Sequence, residues 1–122
     1  MSRALADLCP RLLPLAEQLL AEAQKAGIEC AVIDTLRTDA EHQRNLAAGF
    51  SWIKRSKHLP QTDCCGKAHA IDLCPAELLP VKGWAPASPY WIRLGEIAEK
   101  LGLVWGGRWK KRDLGHFELP RV

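Results

Sequence analysis

The chain has 122 residues, of which 48% are hydrophobic and 25% charged, and it carries a net charge of +3. This is the size and balance of one soluble globular domain, so residues 1–122 are read as a single domain large enough to fold without disulfides or structural metal. So small a charge argues against a dedicated nucleic-acid binder, and no apolar run has the length of a membrane span, so no stable membrane insertion is expected.

The first ten residues do not read as a secretory leader, because Asp7 and Pro10 interrupt any apolar core. Synthesis in the bacterial cytoplasm is therefore expected. From Arg11 to Ala26, Leu12, Leu15, Ala16, Leu19, Leu20 and Ala23 recur at helical spacing, with Pro14 near the start and Gly27 as the stop. Ile28 to Leu36 reads as a buried strand rich in β-branched residues. Thr38 and Glu41 have capping-box spacing and predict a helix from Asp39 to Ala48 that ends at Gly49.

Phe50 to Lys67 lacks sustained periodicity and reads as a loop, followed by a short strand over Ala68 to Leu73. Ser88 and Pro89 open a helix that runs to Leu101 and stops at Gly102. Leu103 to Trp105 and His116 to Leu119 read as short strands around a glycine-rich, basic turn. Several strand-to-strand connections are short, so the expected class is α+β, with a small antiparallel sheet flanked by helices.

The five cysteines, Cys9, Cys30, Cys64, Cys65 and Cys74, form neither a CxxC pair nor a regular framework, and they are read as core or loop thiols. Of the four histidines, His42 falls among Glu41, Gln43 and Arg44 and reads as a surface residue. His58, His69 and His116 lie in or beside loops and short strands, next to carboxylates. Two imidazoles and one carboxylate make a donor set that suits zinc and leaves a fourth position open for water. Zinc lowers the pKa of such water to about 7, which is what a neutral-pH hydrolase requires. Spacing alone leaves open which of these residues converge.

Five segments occur together in order: Leu36-Arg37 leading to Gln43, Ser56-Lys-His58, Gly66-Lys-Ala68 with Asp72, Trp105-Gly-Gly-Arg-Trp109, and Asp113-Leu-Gly-His116-Phe117. This pattern, from about Gly27 to Leu119, resembles the M15 family of zinc peptidases, whose members include D-Ala-D-Ala carboxypeptidases and dipeptidases and phage L-alanyl-D-glutamate endopeptidases. The resemblance implies a Hedgehog/DD-peptidase-like fold. It implies Zn2+ held by His58, Asp72 and His116, Asp113 as general base, and Arg37 as the cation that holds substrate and stabilises the oxyanion.

Each assignment has a competitor. Arg37 could cap a turn or pair with Asp34 or Asp39; Glu118 could be the base, and on a strand it would share a face with His116. Gln43 and Ser56 are expected to support the site without direct chemistry. The interval between His58 and Asp72, residues 59–71, is longer than in many relatives, which makes His69 a rival ligand and loops out Cys64 and Cys65. A strand would point His69 and Asp72 to opposite sides, which favours His58. Trp84, Trp91, Trp105 and Trp109 read as packing residues, with Trp105 or Trp109 available to line a cleft.

The activity implied is hydrolysis of a peptidoglycan stem-peptide bond, of the L-alanyl-D-glutamate type, by a monomeric phage or prophage endolysin acting on the cell wall after release. A D,D-carboxypeptidase or dipeptidase of the same fold, or a non-catalytic wall-binding zinc module, are the alternatives.

Overall fold

Helix α1, Leu13–Lys25, carries Pro14 in its first turn and buries Ala16, Leu19 and Ala23, the stripe expected from its spacing. The computed structural model describes residues 2–36, 57–59, 61 and 66–120. Gly27 ends the helix with φ +84°, and β1 follows at Cys30–Asp34. Strand β2 is Ala70–Pro75 and helix α2 is Pro89–Lys100. Ser88 caps α2, its hydroxyl accepting the Tyr90 N–H at 3.3 Å. Trp91, Leu94, Gly95 and Ala98 form the buried face of α2. Strands β3, Val104–Trp105, and β4, His116–Glu118, complete the described elements.

The four strands form one sheet in the order β1-β2-β4-β3, every neighbouring pair antiparallel. This is the predicted α+β class, with element ends shifted by at most two residues. One expectation is corrected: β1 is half-buried up to Asp34 instead of fully buried, as one of the two edge strands of the sheet among the described residues. The helix predicted over 39–48 and most of the 50–67 loop lie outside the described residues.

Residues directly opposite in an antiparallel ladder share a face. Ile71 pairs with Phe117, and Phe117 with Trp105; all three are buried on the core side. On the other face Asp72 stands opposite His116, while Ala70 and Val104 flank Glu118. A register shift between Val32 and Asp34 brings Asp34 opposite Asp72. Without that bulge the period of two would keep Asp34 on the face of Val32.

Trp105 organises the turn between β3 and β4. A Cβ at Gly95 or Gly107 would run into its indole ring, so the ring is slotted between two glycines. Its Nε1–H donates to the Leu114 carbonyl at 2.8 Å, and Arg108 lies 5.1 Å from the ring centre. Gly106 lets the turn close: a Cβ there would meet the Asp113 carbonyl, whose own N–H donates back to the Gly106 carbonyl at 3.0 Å. At the other end of the sheet the N-terminal segment braces Thr35, which donates its N–H to the Ser2 carbonyl at 2.8 Å and its hydroxyl to the Ala4 carbonyl at 3.0 Å.

Candidate metal centre

Asp72 and His116 reach the site from adjacent strands, and His58 reaches it from the turn at residues 57–59. His58 Nε2 lies 3.0 Å from Asp72 Oδ1, and His116 Nδ1 lies 3.1 Å from the same oxygen. The three donor atoms fall within 4.8 Å of one another, and the two imidazoles meet edge to face with ring centres 5.2 Å apart. Both histidines are buried, whereas the Asp72 side chain keeps 21% exposure, so the cluster opens to solvent on the carboxylate side.

The outer nitrogens decide what this cluster can hold. His58 Nδ1–H donates to the Thr35 carbonyl at 2.8 Å, and His116 Nε2–H donates to Glu118 Oε1 at 2.8 Å. Carbonyl and carboxylate oxygens only accept, so each outer nitrogen carries the hydrogen and each inner one presents a lone pair in the neutral ring. Two lone pairs and a carboxylate oxygen then converge on one small volume. Only a cation satisfies such a set, either protons on the rings or a metal ion. Two imidazoles and one carboxylate with fixed outer hydrogen bonds are the donors that a catalytic zinc takes, so the residues present fit the metal.

The same geometry perturbs the titration. Burial alone would push the Asp72 carboxyl up, but the charge of His58 and hydrogen bonds from both imidazoles outweigh it and hold the carboxyl well below its usual range. Burial would lower His116; the hydrogen bonds to Asp72 and Glu118 and the charges of Asp72 and Asp113 reverse this and push it up to about 10. Without metal, His116 therefore keeps its proton beside the ionised Asp72 carboxylate.

Asp113 stands at the rim, 46% exposed, with Oδ2 4.0 Å from His116 Nδ1. Glu118, the rival base, is on the opposite edge of the His116 ring, against Nε2. His69 is buried just before β2; its N–H donates to the Lys57 carbonyl and its carbonyl accepts from the Leu119 N–H, and it is no member of the donor cluster. Trp109 lies against His116 with ring centres 5.1 Å apart, so it is this tryptophan that borders the site, while Trp105 is core. Arg37, Gln43, Ser56, His42, Cys64 and Cys65 lie outside the described residues. Cys9 and Cys74 are core residues; Cys30 is half-buried, and burial pushes its thiol up to about 12.

Two contributors had no signature in the sequence. Thr35 acts through its backbone carbonyl, which any residue possesses. Asp34 comes within 3.9 Å of His58 Nδ1 only through the bulge in β1.

The family model described as D-alanyl-D-alanine carboxypeptidase, of the M15 peptidases, matches residues 54–119. No curated protein matches the chain. Among solved structures, the chain is similar to the L-Ala D-Glu endopeptidase ChiX of Serratia marcescens, at 23% identity with a TM-score of 0.69. The match covers 95% of this chain and 83% of that one, and shows a shared fold. Among the described residues, no helix is long and apolar enough to cross a membrane.

Proposed function

This chain belongs to the M15 peptidases, and from that premise we propose that it is a zinc-dependent peptidoglycan peptidase that cuts a stem-peptide bond of the L-alanyl-D-glutamate type. The observation that carries the reading is the convergence of His58 Nε2, Asp72 Oδ1 and His116 Nδ1 with both outer imidazole nitrogens already engaged. These three residues would hold the zinc. Bound there, zinc supplies a Lewis acid for the scissile carbonyl and a water acidic enough to attack at neutral pH.

The chain's own residues do the rest. Asp113, half-exposed at the rim, takes the proton from the attacking water and returns it to the leaving amine. Trp109 walls the cleft beside His116 and keeps bulk water from that edge. Arg37, a permanent cation in the Leu36-to-Gln43 segment that resembles M15 members, is assigned to the substrate carbonyl or carboxylate. The whole chain acts as one catalytic domain, as a monomer, and its setting is lysis of the bacterial wall by a phage or prophage endolysin.

The fold shared with an L-Ala D-Glu endopeptidase favours the endopeptidase reading. The description of the matching family model favours a second one, removal of terminal D-alanine. Mass spectrometry of muropeptides digested by the purified protein separates them. A newly exposed amine on D-Glu is expected, and a chelator should stop its appearance. Release of free D-alanine would support the carboxypeptidase, and lysis by metal-free protein would overturn both.

A further inference from the structure

Glu118 lies outside the three donors, yet among the described residues it is the carboxylate that hydrogen-bonds an outer imidazole nitrogen directly. Strand β4 is interior to the sheet, with Glu118 opposite Ala70 of β2 on one side and Val104 of β3 on the other, so its backbone is fixed from both edges. The strand period puts its side chain on the face of His116, two residues earlier, and Oε1 comes to 2.8 Å from Nε2. The other imidazole is anchored differently, with His58 donating to the neutral Thr35 carbonyl at 2.8 Å. The Asp34 carboxylate stands 3.9 Å from the same His58 nitrogen, outside hydrogen-bond range, so one imidazole donates to a neutral acceptor and the other directly to a charged one.

We propose that Glu118 is a positioning residue for the metal: it holds His116 as the Nε2–H tautomer, aims Nδ1 at the ion, and makes His116 the stronger of the two imidazole donors. This rests on the zinc-peptidase reading and adds to it an unequal pair of ligands. A carboxylate hydrogen-bonded to the far nitrogen withdraws the proton partway from the ring and leaves more electron density on the near nitrogen. A backbone carbonyl does this more weakly. The same geometry removes Glu118 from proton transfer to substrate, because it meets the ring edge that faces away from Asp72 and Asp113.

The test is zinc affinity, measured by competition with a chromophoric chelator on the full chain, for the native protein, Glu118→Gln and Glu118→Ala. Gln keeps the size and one acceptor oxygen but loses the charge; Ala loses both. The dissociation constant should rise by about 10–100-fold in the Ala variant and by less in the Gln variant. Activity lost at limiting zinc should return as zinc is added. In the zinc-loaded chain, the His116 Nε2–H ¹⁵N and ¹H shifts should report a strong hydrogen bond to a carboxylate in the native protein and a weaker one in Glu118→Ala. A purely structural residue would leave those shifts and the affinity alone. Should Glu118→Ala fail to fold, the isosteric Gln variant carries the test.

Native affinity in both variants overturns this inference alone. So does native affinity with kcat reduced by about 10²–10⁴-fold, which would make Glu118 the base. If the native chain binds no zinc, the zinc-peptidase reading falls, and this one with it.

Discussion

His116 stands directly opposite Asp72 in the β2–β4 ladder, and its Nδ1 lies 3.1 Å from the Asp72 Oδ1 that also faces His58. Two of the three donors are thus set by strand register, and the third is brought to them by a turn. Replacing His116 or Asp72 with Ala should abolish stoichiometric zinc binding. Peptidoglycan hydrolysis should fall by about 10³-fold or more, since a catalytic metal supplies several kcal/mol of transition-state stabilisation and each 1.36 kcal/mol is tenfold. Equilibrium dialysis and a turbidity assay check both effects.

The raised His116 and the lowered Asp72 give the metal-free protein's stability a defined pH dependence. His116 is raised from its ordinary 6.5 to about 10, so its contribution is complete below about pH 6.5 and disappears as pH climbs through 10. Asp72 is lowered from 3.8, so its contribution is present above about pH 4 and is lost in acid. Chelated protein should therefore melt highest between about pH 4 and 6.5. Zinc displaces the His116 proton, so apparent zinc affinity should strengthen by up to about tenfold per pH unit from pH 7 to 9. A zinc affinity that weakens over this range would contradict the assignment.

Asp113→Asn should separate chemistry from metal binding. The side chain is nearly half exposed and 4.0 Å from His116 Nδ1, so its loss should leave zinc affinity within a few-fold of native. If Asp113 is the base, kcat should fall by about 10²–10⁴-fold. Single-turnover hydrolysis of a purified muropeptide with zinc in excess gives the comparison.

Gly95→Ala should destabilise the protein despite sitting inside helix α2. Helix propensity alone would favour Ala by about 1 kcal/mol. The added methyl, however, would enter the Trp105 ring, which the Leu114 carbonyl and Gly107 hold in place. Overpacking of that kind costs about 1–3 kcal/mol, so a net loss is expected in urea titrations. The same variant should loosen the turn that carries Asp113.

Much of this was legible along the chain. Helical periodicity located α1 and α2 because their buried stripes repeat locally, and Pro14, Gly27, Ser88 and Gly102 mark their ends by backbone rules that act within a few residues. The likeness of the five segments to M15 peptidases pointed to His58, Asp72 and His116, which the fold brings into one cluster. Of the rivals His58 and His69, it is His58 that joins the cluster, and His69 lies just before β2 and not within it. Burial of β1 was misjudged because an apolar run does not say whether a strand is interior or at an edge.

By itself, then, the sequence determined α1 and α2, the strand candidates and the donor types, since these depend on local spacing and on side-chain chemistry. Only the tertiary structure decided which nitrogen of each histidine turns inward, that Glu118 meets the Nε2 edge of His116, and that Thr35 supplies a carbonyl. It also decided the bulge that turns Asp34 toward the site and the glycine slot that seats Trp105. The reason is that these are relations of register and packing between residues far apart in the chain. Sequence spacing carries no measure of such distances until the strands have paired.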